Sequence, residues 1–250
     1  MKSLWRLLML LVTSFVLLQL FFVIKVALMI LVAPQSTSFE RSEIWRIVSQ
    51  QGRLPWRQEW VSYGDISTQL KRAVIASEDG DFVNHEGIEW DAVEQAWQKN
   101  AKAQDIADKR LKKAPTSNKA VTKPIKPPKI IGGSTISQQL AKNLFLSGER
   151  TFLRKGQEFL LTQLLEALLS KQRILEIYLN SVEWGEGIFG AEAAAQHYFH
   201  KPAKQLTSYE SARLAVMLPR PKYFEKKSAS NYLTSRASSI VARMGDAEVP

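Results

Sequence analysis

The run Gly132-Gly-Ser-Thr-Ile-Ser-Gln-Gln-Leu-Ala-Lys-Asn-Leu-Phe-Leu146 joins a small polar turn, two neighbouring amides and a lysine. Its glycines let backbone approach a ligand closely, and Ser134 or Thr135 can cap a helix that carries Gln138, Gln139 and Lys142 on neighbouring turns. Arg150, Arg154 and Lys155 follow shortly after. Amides and cations in that order suit an anion such as a phosphate. The same run is also an ordinary helix cap, and Arg150 with Arg154, one turn apart, an ordinary solvated face. Upstream, Glu78-Asp-Gly-Asp81 crowds three carboxylates into one turn, where repulsion from Asp79 and Asp81 would raise the pKa of Glu78. Acidic turns at helix ends are commonplace, so this one alone assigns no chemistry. Glu158 stands four residues after Arg154, the spacing of a helical ion pair. His197 and His200 have metal-compatible i,i+3 spacing but no third ligand, and no protein-bound metal is expected.

The elements that must position these groups are helical. Leu70, Val74 and Ile75 recur at helical steps up to the acidic turn, and Glu89 to Lys99 forms a further short helix. From Leu153 to Asn180 a broad apolar face includes Leu160, Leu164, Ala167, Ile174, Leu175 and Tyr178, with a break expected at Ser170-Lys171. The Trp184 to Gly190 stretch reads as a loop. Ala191 to Phe199 and Ser208 to Leu218 are two more helices, the second ended by Pro219 and Pro221. No β-alternation of useful length and no internal repeat occur, so the domain is expected to be mainly α.

Leu7 to Ala33 is almost wholly apolar, and Leu7 to Ile24 alone supplies 18 residues, about 27 Å of helix, enough to cross a hydrocarbon core of roughly 30 Å. Lys25 would reach headgroups, with Val26 to Val32 continuing along or above the outer surface. The run is long for a signal peptide and its end is a poor cleavage site, so residues 1–33 are expected to be a cytoplasmic tip and an uncleaved anchor. Lys2 and Arg6 place the N-terminus in the cytoplasm. Residues 34–65, with Trp45, Trp56 and Trp60, form either a juxtamembrane connector or a packed stalk, and residues 66–245 the main domain. The chain has no cysteine, so no disulfide.

The net charge is +10. From Lys99 to Lys129 ten basic residues stand against two acidic ones, an excess of eight. That segment also holds Pro115, Pro124, Pro127 and Pro128, and residues 99–129 are expected to be a basic, mobile linker drawn to anionic headgroups or substrate. Nucleic-acid binding is not expected of a domain tethered outside the cytoplasm.

Four blocks stand in order: Glu78 to Gly87; Gly132 to Leu146; Arg154-Lys-Gly-Gln-Glu158; and Lys171-Gln-Arg-Ile-Leu-Glu-Ile-Tyr-Leu-Asn180. Together they resemble the peptidoglycan glycosyltransferases of glycosyltransferase family 51. With one anchor and no room for a transpeptidase domain, the chain is similar to the monofunctional members. The likeness runs from about Leu70 to about Phe224. Glu89 replaces the usual Asp after the His-x-Gly step, and His200 the usual Gly of a Tyr-Phe-Gly-Lys block. The segment before Gly132 is longer than the family's.

The resemblance implies a lysozyme-like, two-lobed helical fold behind one transmembrane helix, polymerising lipid II at the outer face of the bacterial inner membrane. A sugar 4-hydroxyl must lose its proton as it attacks an anomeric carbon, which assigns Glu78 as general base. The lipid pyrophosphate leaves without protonation if cations hold its charge, a role for Lys142, Arg150 and Arg154. Gln138 and Gln139 would bind sugar or pyrophosphate by their amides. Glu158 matches the family's second essential carboxylate and would orient the cations. Asp79, Lys155, Lys171, Arg173 and Asn180 complete the implied substrate-binding set, and His85 braces the first block. No cofactor is required, although a divalent cation, Mg or Mn, could bridge the pyrophosphate beside Asp79 or Glu78. Implied partners are lipid II, the growing glycan strand and the membrane, with other cell-wall synthesis proteins left open. Two alternatives remain: a lysozyme-like glycan hydrolase, which would have no pyrophosphate to hold, and a catalytically silent wall-synthesis scaffold.

Overall fold

The structure is a computed structural model that describes residues 2–113, 133–146, 148–149 and 151–250. It divides into two compact units, residues 88–134 forming one and the rest the other. In the larger unit, α1 (Lys2–Leu28) is the one described helix long and apolar enough to cross a membrane. Its far end is protein-bound. Val26 and Met29 are buried, Phe22 meets Phe145 edge to face at 5.4 Å, and the amides of Gln19 and Gln157 exchange hydrogen bonds of 3.3 Å. Val26 and Met29 therefore do not lie along an outer surface as expected, because the domain offers them an apolar seat.

The stretch after the anchor is packed, which selects the stalk over the loose connector. Thr37 and Glu40 form a capping box that starts α2 (Ser38–Gln51), and Gly52 closes it in the left-handed conformation. Next, β1 (Arg57–Gln58) pairs in parallel with Ile188 and Phe189. Ser67 caps α3 (Thr68–Glu78), whose Leu70, Val74 and Ile75 are fully buried.

The smaller unit is α4 (Trp90–Lys113). This corrects the expected linker at its start, since Lys99 to Lys113 continues the helix. Ala101, Lys102, Ala103 and Gln104 favour helix, no proline intervenes before Pro115, and Asp105 pairs with Lys109 one turn on. Residues 114–129 of that expected linker lie outside the described residues. Trp90 and Trp97, seven positions apart, are both largely exposed.

The larger unit resumes with α5 (Ile136–Phe145), started by a Thr135/Gln138 capping box. Helices α6 (Phe152–Leu168) and α7 (Lys171–Ser181) follow, capped by Thr151 and Ser170, so the long apolar stretch breaks at Ser170 as expected. The Trp184 to Gly190 stretch is more than a loop. There β2 (Glu183–Gly185) and β3 (Ile188–Phe189) pair antiparallel, completing a sheet of order β1-β3-β2. Both strands are too short to show alternation, and every residue of β2 and β3 is buried. Gly187, with φ of 71°, has no alternative residue, since an added Cβ would fall 1.9 Å from the Pro55 carbonyl oxygen.

Then come α8 (Ala191–Phe199), α9 (Ser208–Met217), α10 (Pro221–Glu225) and α11 (Asn231–Arg243). Helices α3, α9 and α11 pack on one another, and α5 packs on α6 and α7. Tyr178, Trp184 and Phe82 are the largest fully buried side chains. The fold is mainly α, and the acidic turn ends α3 beside the start of α5.

Candidate active site

Two hydrogen bonds place the acidic turn against α5. Asp79 Oδ2 accepts from the backbone N–H of Ile136 at 2.8 Å, and Thr135 Oγ1 donates to the Gly87 carbonyl at 2.6 Å. A carboxylate at the first turn of a helix is favourable for the helix dipole. The other Asp79 oxygen accepts from His85 Nε2 at 2.7 Å, while His85 Nδ1 accepts from the Gly87 N–H at 3.0 Å. That pair of bonds defines one imidazole tautomer, with the proton on Nε2. His85 braces the turn. Asp79, expected to bind substrate, is instead 3 % exposed with both oxygens engaged, a structural tie between α3 and α5.

Glu78, the last residue of α3, is half-buried, and its Oε2 accepts from Gln139 Nε2 at 3.1 Å. Burial is the main cause that raises its pKa above 4.5, opposed by hydrogen bonds from Gln139 and Ser77. The charge of Asp79 adds the smallest push. The expected mechanism, repulsion by Asp79 and Asp81, is thus corrected to desolvation. Gln138 Oε1 accepts from Thr135 N–H within the cap, and the residue is buried. The amide that meets the catalytic candidate is Gln139, which also accepts from the Tyr178 hydroxyl at 3.0 Å.

One turn along α5 from Gln139 stands Lys142. Packing on α6 brings its ammonium under the influence of Glu158, Arg154 and Lys155. The side chain reaches solvent, yet desolvation, with help from the two neighbouring cations, lowers its pKa below 10.5. Glu158 is 4 % exposed and accepts from Arg154 Nη1 at 2.9 Å and from Lys155 Nζ. The Nε–H of Arg154 is buried with no hydrogen-bond partner among the described residues, a donor ready for an anion. Arg150 lies outside the described residues.

The fourth block does other work. Lys171 donates to the His85 carbonyl and pairs with Glu166 at 2.9 Å, its ammonium 4.7 Å from the Phe82 ring centre. Arg173 donates to the Met29 carbonyl at 2.8 Å, pairs with Glu176 at 3.0 Å and lies over Trp60. Asn180 is fully buried and bonds both the N–H and the carbonyl of Val61 at 3.0 Å. These three brace the first block, the anchor end and the stalk, each through a part-buried backbone group. His200 closes α8 with φ of 57°, which accounts for the glycine usual there. His197 pairs with Glu225 at 3.4 Å. Among the described residues no three His, Asp or Glu side chains are placed to hold a metal ion.

Sequence inspection missed Tyr178, assigned only to an apolar face. Its hydroxyl meets Gln139 across 39 residues of chain, and no local spacing signals that.

A helical domain whose α5 carries Gln139 against a half-buried carboxylate and, one turn on, Lys142 near a cluster of cations suits a group-transfer enzyme with an anionic leaving group. The protein-family model described as Transglycosylase matches residues 46–108 and 115–245. The biosynthetic peptidoglycan transglycosylase of Burkholderia thailandensis is 51% identical over 232 residues, covering 93% of this chain and 82% of that one. That of Paraburkholderia phytofirmans is 50% identical with 93% and 87% covered, and that of Herminiimonas arsenicoxydans 45% identical over 234 residues with 94% and 91% covered. The chain belongs to the transglycosylase family, and its fold is the mainly helical, lysozyme-like one.

Proposed function

We propose that this peptidoglycan glycosyltransferase joins lipid II units into β-1,4-linked glycan strands and releases undecaprenyl pyrophosphate, in bacterial cell wall synthesis. Family membership supports the reaction, and the relatives are named biosynthetic peptidoglycan transglycosylases. The observation that carries the residue roles is the pairing on α5 of Gln139, which touches Glu78, with Lys142, which faces the Glu158 group.

Glu78 takes the proton of the acceptor 4-hydroxyl as that oxygen attacks the anomeric carbon. Its raised pKa makes it a stronger base than a solvated glutamate. The glycosyl–phosphate bond breaks on the far side, and the departing pyrophosphate meets Lys142 and Arg154, with Lys155 and Arg150 in supporting positions along the chain. Glu158 holds Arg154 and Lys155 and keeps their charges fixed before substrate arrives. The reaction so drawn needs no metal. A Mg or Mn ion carried by the pyrophosphate would find Glu78 rather than Asp79, whose oxygens are engaged. A hydrolase acting on glycan would have no use for the cation group.

The apolar α1 suits a membrane anchor. Lys2 and Arg6, with no acidic residue before the span, support a cytoplasmic N-terminus and a periplasmic catalytic domain at the inner membrane. Lipid II would then reach the site from the outer leaflet of the membrane that the anchor crosses. Labelled lipid II given to the purified full-length chain distinguishes the readings: polymer for the transferase, shortened glycan from preformed strands for a hydrolase, no change for a scaffold. Glu78→Gln is expected to abolish polymer while retaining the fold by circular dichroism and lipid II binding. Near-normal turnover by that folded variant defeats the base assignment.

A further inference from the structure

The Glu78 base reading leaves one buried polar group unexplained. Tyr178 is fully buried in α7, and its hydroxyl donates to Gln139 Oε1 at 3.0 Å, while Gln139 Nε2 donates to Glu78 Oε2 at 3.1 Å. We propose that Tyr178 is a positioning residue for glycosyl transfer: its hydroxyl locks the Gln139 amide in the orientation that presents N–H to Glu78, keeping that carboxylate ionised and aimed. The proposal rests on Glu78 being the base.

A primary amide can turn end for end, and the two ends have opposite consequences here. With N–H toward Glu78 the amide stabilises the carboxylate. With oxygen toward Glu78 it repels the anion and accepts a proton from the neutral acid, which cannot serve as a base. The Tyr178 proton decides between them. Gln139 Oε1 is its acceptor among the described residues, so turning the amide would leave a buried hydroxyl proton without a partner, a costly state. The titratable group acting on Glu78 is Asp79, next in the chain, and Glu78 and Asp79 in turn act on Tyr178 across on α7. Burial pushes the Tyr178 hydroxyl well above its ordinary pKa, so it remains a donor throughout the working range. Asp79 is tied to His85 and to the Ile136 N–H, and its bonds do not involve the amide.

The test is the pH dependence of kcat/KM for lipid II polymerisation by the full-length chain. Tyr178→Phe keeps the ring and removes one oxygen. Its acid limb should move up by about half a pH unit or more, with kcat down roughly tenfold and KM changed less than about twofold. Gln139→Met should move the limb likewise, and adding Tyr178→Phe to Gln139→Met should move it no further, since the tyrosine acts only through the amide. A Tyr178→Phe protein that melts like wild type with an unmoved acid limb overturns the proposal. So does a full additional shift in the double variant. Should Tyr178→Phe not fold, the Gln139→Met limb decides alone, and an unmoved limb there overturns it. Glu78→Gln separates the two readings: activity in that variant defeats the base itself, whereas its loss alongside an unmoved Tyr178→Phe limb defeats only the positioning.

Discussion

If Lys142 and Arg154 hold the departing pyrophosphate as proposed, a rate distinguishes them from surface cations. A solvated ion pair is worth at most about 1 kcal/mol, whereas one preorganised contact to a developing charge is worth about 3 to 4 kcal/mol in the transition state. Lys142→Ala or Arg154→Ala should therefore slow single-turnover glycan synthesis by roughly a hundredfold or more at matched lipid II occupancy. Arg154→Lys should restore only part of the rate, because charge returns without the forked donors. The Arg154→Ala result carries a second effect, since Glu158 is 4 % exposed and loses one of its two cations. For that reason Lys142→Ala is the cleaner reading, and a rate within about fivefold of wild type would return Lys142 to the solvated face.

Among the elements, α2, β2 and α10 meet in an ionic group outside the catalytic one. Lys222 bonds Glu43 at 2.5 Å and pairs with Glu183 at 3.2 Å, while Arg46 joins Glu43 at 2.8 Å to Glu186. Glu183 is 8 % exposed, and burial, aided by Glu43 and Glu186, pushes its pKa up to about 7 against the opposing pull of Lys222. The folded chain thus holds this proton up to about pH 7, while the unfolded chain releases it near 4.5. Between those values the unfolded state binds fewer protons, so folding loses stability as pH rises, and the penalty is complete above pH 7. Melting curves from pH 4.5 to 8 should show a fall in Tm across that window that Glu183→Gln flattens. Parallel curves for the two proteins would remove Glu183 as the cause.

At the scale of the whole molecule, the anchor and the domain share a core. Val26 is fully buried and Phe22 packs against the same cluster, and burying such side chains is worth about 1.5 to 3 kcal/mol each. Residues 4–18 make no such contribution, their apolar side chains being exposed. Removing residues 2–16 should leave Tm unchanged in a given detergent, and removing residues 2–28 should lower it by several degrees. Equal melting temperatures for the two truncations would show that the anchor end does not stabilise the domain.

What the sequence alone determined is what neighbouring residues decide. The apolar span, most of the helices, the Thr135 cap of α5, the break at Ser170 and the pairing of Glu158 with Arg154 all depend on groups within a few positions of one another, where spacing is geometry. The tertiary structure decided which of two adjacent amides meets Glu78, because Gln139 bonds it across 61 residues while Gln138 closes its own cap. It ties Asp79 to α5 across 57 residues and clamps Asn180 on Val61 across 119. It likewise raised the Glu78 pKa by burial, which the charges written beside that residue could not foretell. Burial and long-range hydrogen bonds are properties of where the chain returns to itself. A residue's type states what it can bond, and only the packed chain states what remains for it to bond.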